Sequence, residues 1–163
     1  MSVELIKMTK EEFDGFYAWS IDNHATELME KQNLSRDDAV RKATAELAAM
    51  LPEGLSTPKN LFMTIIDNDC HENIGFIWTL HEVTGGRKQS FICDFTIWEN
   101  KRRNGYATAA LLLAEKQATA AGCQESVLFV SDANTDAKAL YDKCGYRILR
   151  PAVYGKYMIK DLT

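Results

Sequence analysis

The stretch of this chain best equipped for chemistry runs from Lys101 to Gly122, KRRNGYATAALLLAEKQATAAG. Three consecutive cations lead through a glycine into a long run rich in alanine and leucine. Arg102, Gly105 and Ala107 thereby stand in the order Arg-x-x-Gly-x-Ala. The first amides of a helix have no intrahelical acceptor, and the helix dipole adds partial positive charge, so such an end is an anion site. Gly105 has no Cβ and lets a phosphate come up to the backbone. Arg102 and its neighbours add charge-assisted donors whose geometry suits phosphate oxygens. The residues read as a cradle for a diphosphate. A solvated basic loop with a turn glycine is the competing reading, and the surrounding elements must decide between them.

Those elements alternate in a way that places the cradle. Val3 to Lys7 reads as a short strand. Thr9 follows as an N-cap with Glu11 and Glu12 in the first turn, and Phe13, Tyr17, Ile21, His24 and Leu28 recur at helical spacing. A second helix opens at Ser35 with Asp38 three residues on. It carries Val40, Ala43, Leu47 and Met50 as its apolar stripe and closes at Pro52, Gly54 and Pro58. Leu61 to Ile66, Ile74 to His81 and Gln89 to Trp98 are strand-like, separated by Asp67-Asn68-Asp69 and Gly85-Gly86 turns. After the cationic loop, Ala107, Ala110, Leu111, Ala114, Ala118 and Ala121 form one helix face, and Gly122 stands where a C′ glycine belongs. Ser126 to Val130 is a strand and Thr135 to Cys144 a helix ended by Gly145. Tyr146 to Leu149 and Val153 to Ile159 close the sheet.

The order is βααβββαβαββ, a single α/β domain over 1–163. Strand, cationic loop, helix, strand is a βαβ unit, whose ligands lie at the carboxyl edge of the strands. A dinucleotide-binding domain would want Gly-x-Gly-x-x-Gly near the start of an alternating βα pattern. That signature is missing, and three consecutive strands precede the helix here.

Composition narrows the partners. With 46% hydrophobic and 26% charged residues the chain has ordinary globular usage, and 163 residues can bury a core without staples. A net charge of −4 argues against nucleic acid and makes the cationic loop a local exception. A small polyanion there and a cationic second substrate elsewhere fit that balance. Cys70, Cys93, Cys123 and Cys144 are widely spaced, and they read as reduced, mostly buried thiols rather than a disulfide frame. No metal-ligand spacing links them to His24, His71 or His81, so no metal is assigned. The N-terminus lacks a signal-peptide core and no run is long enough to span a membrane. The expected location is the cytoplasm, with no membrane contact.

Four features together resemble the GCN5-related N-acetyltransferase (GNAT) superfamily. They are the strand Phe91 to Trp98 (FICDFTIW), the loop Arg102-Arg103-Asn104-Gly105-Tyr106-Ala107, the helix after it, and the segment from Asn134 to Tyr146 (NTDAKALYDKCGY). The resemblance implies a single mixed, largely antiparallel sheet flanked by helices. It also implies acetyl-CoA as acyl donor and a small-molecule or peptide amine as acceptor. Carried over by position, amides across Arg103 to Thr108 (Arg103, Asn104, Gly105, Tyr106, Ala107 and Thr108) would bind the diphosphate, with Arg102 opening the motif. Ala107 stands where glycine is usual. The Ile97 main chain would pair with pantetheine and its amide polarise the thioester carbonyl, a role needing no particular side chain. Asn134 matches a cofactor-contacting asparagine and is also a natural helix N-cap.

Tyr141 matches the tyrosine that protonates the departing thiolate. It lies seven residues after Asn134, on the same helix face. The competing reading is packing, because Ala137, Leu140, Tyr141 and Cys144 also make an apolar stripe. The general base is less plainly marked. Many relatives carry a Glu on this strand, sometimes as a Glu-Asp pair three and four residues before the Ile97 position, where this chain has Cys93 and Asp94. Asp94 is the remaining candidate; with an ordinary pKa near about 3.9 it would need burial or a water relay. Glu99 is held in reserve. For the acceptor pocket, Tyr17, Trp19, His24, Trp78 and Tyr154 offer rings, and Asp22, Glu27 and Glu30 offer charge, without naming the amine.

The family often forms dimers, so self-association is an expectation of the resemblance, though no interface is visible in the sequence. Two functions of different class follow. One is transfer of acetyl from acetyl-CoA to a primary amine by direct attack in a ternary complex. The other is a non-catalytic acyl-CoA-binding module.

Overall fold

The computed structural model describes residues 2–162. Its elements are β1 (Val3–Lys7), α1 (Lys10–Gln32), α2 (Arg36–Met50), β2 (Asn60–Asp67), β3 (Glu72–Thr84) and β4 (Arg87–Ile97). They continue with α3 (Tyr106–Ala120), β5 (Glu125–Ser131), α4 (Thr135–Lys143), β6 (Arg147–Ala152) and β7 (Gly155–Asp161). The order is the βααβββαβαββ read from the sequence. Among the described residues no helix is long and apolar enough to cross a membrane.

The chain divides into two compact units. Met8–Pro58 holds α1 and α2, whose common core is Ala25, Leu28, Ala39 and Ala43 with Ile21, Met29, Leu34 and Val40 against it. Thr9 starts α1 with a full capping box: its hydroxyl accepts from Glu12 N at 3.1 Å and Glu12 returns the bond at 2.9 Å. Ser35 caps α2 through Asp38 N at 3.2 Å. The apolar stripes differ in detail from the periodic reading. Phe16 and Ala25 are buried in α1, whereas Tyr17, Ile21 and His24 are half-buried; in α2 Ala39 is buried and Met50 is 53% exposed. His24 turns its ring to Glu46 at 2.6 Å instead.

The other unit holds β1, everything from Lys59 onward, and the sheet. Among the described residues seven strands pair in the order β1-β2-β3-β4-β5-β7-β6. Every neighbouring pair is antiparallel except β4 and β5. That one parallel pair is the βαβ unit closed by α3. One face of the sheet packs under α3 and α4 around Met63, Ile77, Ile92, Leu111, Ala114, Leu128, Val130, Tyr141, Tyr146 and Met158. Leu111 and Met158 are fully buried, and truncating such a leucine to alanine costs about 2–5 kcal/mol. The four cysteines are free as expected, but the burial expectation holds only for Cys123. Cys93 and Cys144 are half-buried and Cys70 is exposed on the turn before β3.

Candidate active site

β4 is irregular where it matters. Trp78 stands opposite Asp94 and Thr79 opposite Ile92, which leaves Cys93 as an extra residue, a β-bulge. Bulges bend a strand and increase its twist. On the other edge, the parallel ladder with β5 ends at Ile92–Leu128, although β4 continues to Ile97 and β5 to Ser131. The two strands therefore part beyond the bulge. Trp98 donates its N–H to the Ile74 carbonyl at 2.9 Å, toward β3. Amides alternate edges along a strand, so the Ile97 N–H faces the edge that β5 has left.

The chain then makes a 3-10 turn, Glu99–Lys101, and the loop folds on itself. Arg102 Nε donates to the Ile97 carbonyl at 2.9 Å, and Asn104 Nδ2 donates to the carbonyls of Lys101 and Arg102 at 3.1 and 3.2 Å. Arg103 and Gly105 both take positive φ, 66° and 78°. Turns of this handedness point successive N–H groups into one concavity. Gly105 is the N-cap of α3 and supplies no side-chain bond, and the first turn of α3 contains no acid. Tyr106, the first residue of α3, sends its hydroxyl to the Asp67 carboxylate at the end of β2. That bond holds Asp67 below the usual carboxylate range, aided by the Asp69 amide at 2.8 Å, and pushes the Tyr106 hydroxyl up to about 12. Lys101 pairs with Glu72, so the turn between β2 and β3 is tied to the loop twice.

α4 brings Tyr141 into the core. Its ring meets Tyr146 edge-on at 5.7 Å, and it is 8% exposed. Burial, and then the charge of Asp94, push its hydroxyl up to about 12. Among the described residues that hydroxyl has no hydrogen-bond partner, yet no fully buried side-chain oxygen lacks one, so it reaches open space. Burial and the Asp94 charge also push the Cys93 thiol to about 12, which keeps it protonated and a poor nucleophile. Asp94 thus stands close enough to both groups for its charge to be felt. Asn134 Oδ1 accepts from Ala137 N at 3.1 Å, the capping role.

The model of the Acetyltransferase (GNAT) family matches residues 16–146, most of the chain and parts of both units. The chain belongs to this family. It is 30% identical over 146 residues to the uncharacterized N-acetyltransferase YdgE of Bacillus subtilis (strain 168), covering 90% of this chain and 92% of that one. The crystal structure of the uncharacterized N-acetyltransferase YycN from the same organism superposes with a TM-score of 0.84 at 26% identity. That match covers 93% of this chain and 96% of that one. The PaiA N-acetyltransferase of Thermoplasma acidophilum, solved in complex with coenzyme A, shares the fold at a TM-score of 0.70 and 18% identity. Coverage there is 99% of both chains.

Within this GNAT chain the residues read from the sequence fall into two groups. Ile97 and the loop 102–108 form one continuous strand edge, turn and helix start. Asp94 lies at the β4 bulge, while Tyr141 and Asn134 lie on α4 and at its N-cap. Glu99 is exposed on the 3-10 turn. Trp78 stacks on Phe62 at 5.5 Å and donates to Asn60 at 2.8 Å, and Asp22 pairs with Arg36, which gives both residues structural work. Sequence reasoning missed the Tyr106–Asp67 tie. It also missed a buried cluster behind Tyr141, where Tyr146 shares a bond with Ser126 at 2.8 Å and donates to Glu115 at 3.1 Å. Lys160 donates to the same Glu115 carboxylate at 2.7 Å. A charged residue inside the apolar stripe of α3 was the available signal.

Proposed function

We propose that this chain is a single-domain N-acetyltransferase that moves acetyl from acetyl-CoA to a primary amine by direct attack within a ternary complex. The observation that carries the reading is the uncapped, acid-free start of α3, placed directly after the β4 edge that β5 vacates. The open amides of residues 103–108 would take the diphosphate, with Arg103 adding charge from the exposed loop. Arg102 would act largely through the backbone, because its Nε already holds the Ile97 carbonyl. The Ile97 amide would then polarise the thioester carbonyl. Asn134 serves α4 as its cap and would meet the cofactor with its remaining amide group.

In the transfer, a C–N bond forms, the C–S bond breaks, and the attacking nitrogen gives up a proton. Tyr141 at about 12 is a weaker acid than an ordinary thiol near about 8.5. Its hydroxyl therefore works by donating a hydrogen bond to the departing sulfur, and the proton that finally neutralises the sulfur balances the one lost by nitrogen. Asp94 would accept the proton lost by nitrogen, directly or through water.

The second reading, a non-catalytic acyl-CoA-binding module, is favoured by Cys93, whose raised thiol pKa gives no base where relatives carry glutamate. Thiol release from acetyl-CoA against a panel of primary amines separates the two. Amine-dependent release with a stoichiometric N-acetyl product is expected. Tight acetyl-CoA binding with no release on any amine would favour the module.

A further inference from the structure

One row of side chains crosses the sheet on the face opposite α3 and α4. Beyond the last ladder pair, Ile92–Leu128, strand alternation puts Asp94 of β4 and Phe129 of β5 on this same face, on either side of the gap where the two strands part. Phe129 pairs with Tyr157, and Tyr157 pairs with Arg150. Phe129 is 38% exposed in a strand otherwise largely buried, and its ring meets Tyr157 edge-on at 5.5 Å. Phe91 flanks the same tyrosine at 6.3 Å. The Arg150 guanidinium lies 4.4 Å from the centre of the Tyr157 ring. Arg150 is exposed and makes no ion pair among the described residues.

The row is thus an acid, two rings and a cation. Asp94 at one end suits an amine. The guanidinium over the Tyr157 ring, with no carboxylate paired to it among the described residues, offers an N–H fork that matches a carboxylate. The rings between them suit an apolar or aromatic body. A polycation laid along the row would meet Arg150 as a like charge. At about 4.8 Å per strand, the backbone positions at the two ends are at least about 14 Å apart, and the side chains shorten that span. Three extended residues reach about 10 Å.

Resting on the acetyltransferase reading, we propose that the acceptor is a primary amine joined through an apolar or aromatic body to a carboxylate, of about tripeptide length, and that Arg150 reads the carboxylate.

The test uses the full chain and acetyl-CoA. Acceptors are a tripeptide with a central phenylalanine and a free C-terminal carboxylate, the same peptide as its C-terminal amide, and spermidine. The acid peptide should show a KM about tenfold or more below its amide. Arg150→Gln should erase that difference while leaving kcat and KM for the amide unchanged, which a merely structural role would not do. Equal KM values for acid and amide, equal losses on both in Arg150→Gln, or spermidine as the better acceptor would overturn the inference. Calorimetric binding of acetyl-CoA with no transfer to the acid peptide would also overturn it, leaving the cofactor reading intact. Absence of acetyl-CoA binding would remove both.

Discussion

At the start of α4, Asn134 accepts from the Ala137 amide at 3.1 Å and Asp136 adds a negative charge to the first turn. At the start of α3, Gly105 has no side chain, the first turn has no acid, and Lys101, Arg102 and Arg103 precede it. Both helices face the same need, since first-turn amides and a positive dipole end must be satisfied. α4 meets it from its own sequence, for a gain of about 1 kcal/mol per cap. α3 forgoes that gain and holds Arg103 in the left-handed region, which costs a non-glycine residue about 1–2 kcal/mol. The helix that closes its own end is structural there. On the proposed function, the end left open is the one that would take an anion from outside.

Placing a side chain at the bare cap should produce the largest change. Gly105→Asn tolerates a left-handed backbone, so folding should survive with little change in Tm, while acetyl-CoA affinity falls at least about 100-fold. Calorimetric titration reads the loss, and unchanged affinity would make α3 an ordinary helix start. Removing the α4 hydroxyl comes next. Tyr141→Phe should lower kcat by about 100-fold and leave acetyl-CoA affinity within about twofold. Steady-state kinetics beside titration checks the split, and undiminished turnover removes Tyr141 from the chemistry.

A smaller effect concerns pH. The folded chain holds the Tyr141 proton up to about 12, against an ordinary tyrosine value of 10.0. Above pH 10 the unfolded chain releases a proton that the folded chain retains, so rising pH favours unfolding. The stability contributed below pH 10, at most about 2–3 kcal/mol, should fade between about pH 10 and 12. Denaturant midpoints across that range should fall less in Tyr141→Phe. The smallest change is at the closed helix. Asn134→Ala should cost about 1 kcal/mol, a Tm shift of about 2–4 °C, and weaken acetyl-CoA far less than Gly105→Asn does. An equal loss of affinity would collapse the distinction between the two helix starts.

Much of this contrast is legible in the chain. Gly105 after three cations and Asn134 before Thr135 are local signals, and local signals decide helix ends. The element order also survives because it rests on turns and periodicity. What is not legible is set across the fold. The Cys93 bulge and the parting of β4 from β5 depend on registers between strands, which no single segment encodes. Asp67 reads as a turn residue and becomes the partner of Tyr106, 39 residues away. Glu115 stands among the alanines of α3, and its partners Tyr146 and Lys160 lie 31 and 45 residues on. Neither pairing has a periodic trace.

The most direct measurement is calorimetric titration of the unaltered protein with acetyl-CoA at two salt concentrations. The expected result is one-to-one binding that weakens as salt rises, because the cradle meets phosphate with charge and dipole. Absence of binding at either salt concentration would contradict it, and the bare start of α3 would then be only a turn.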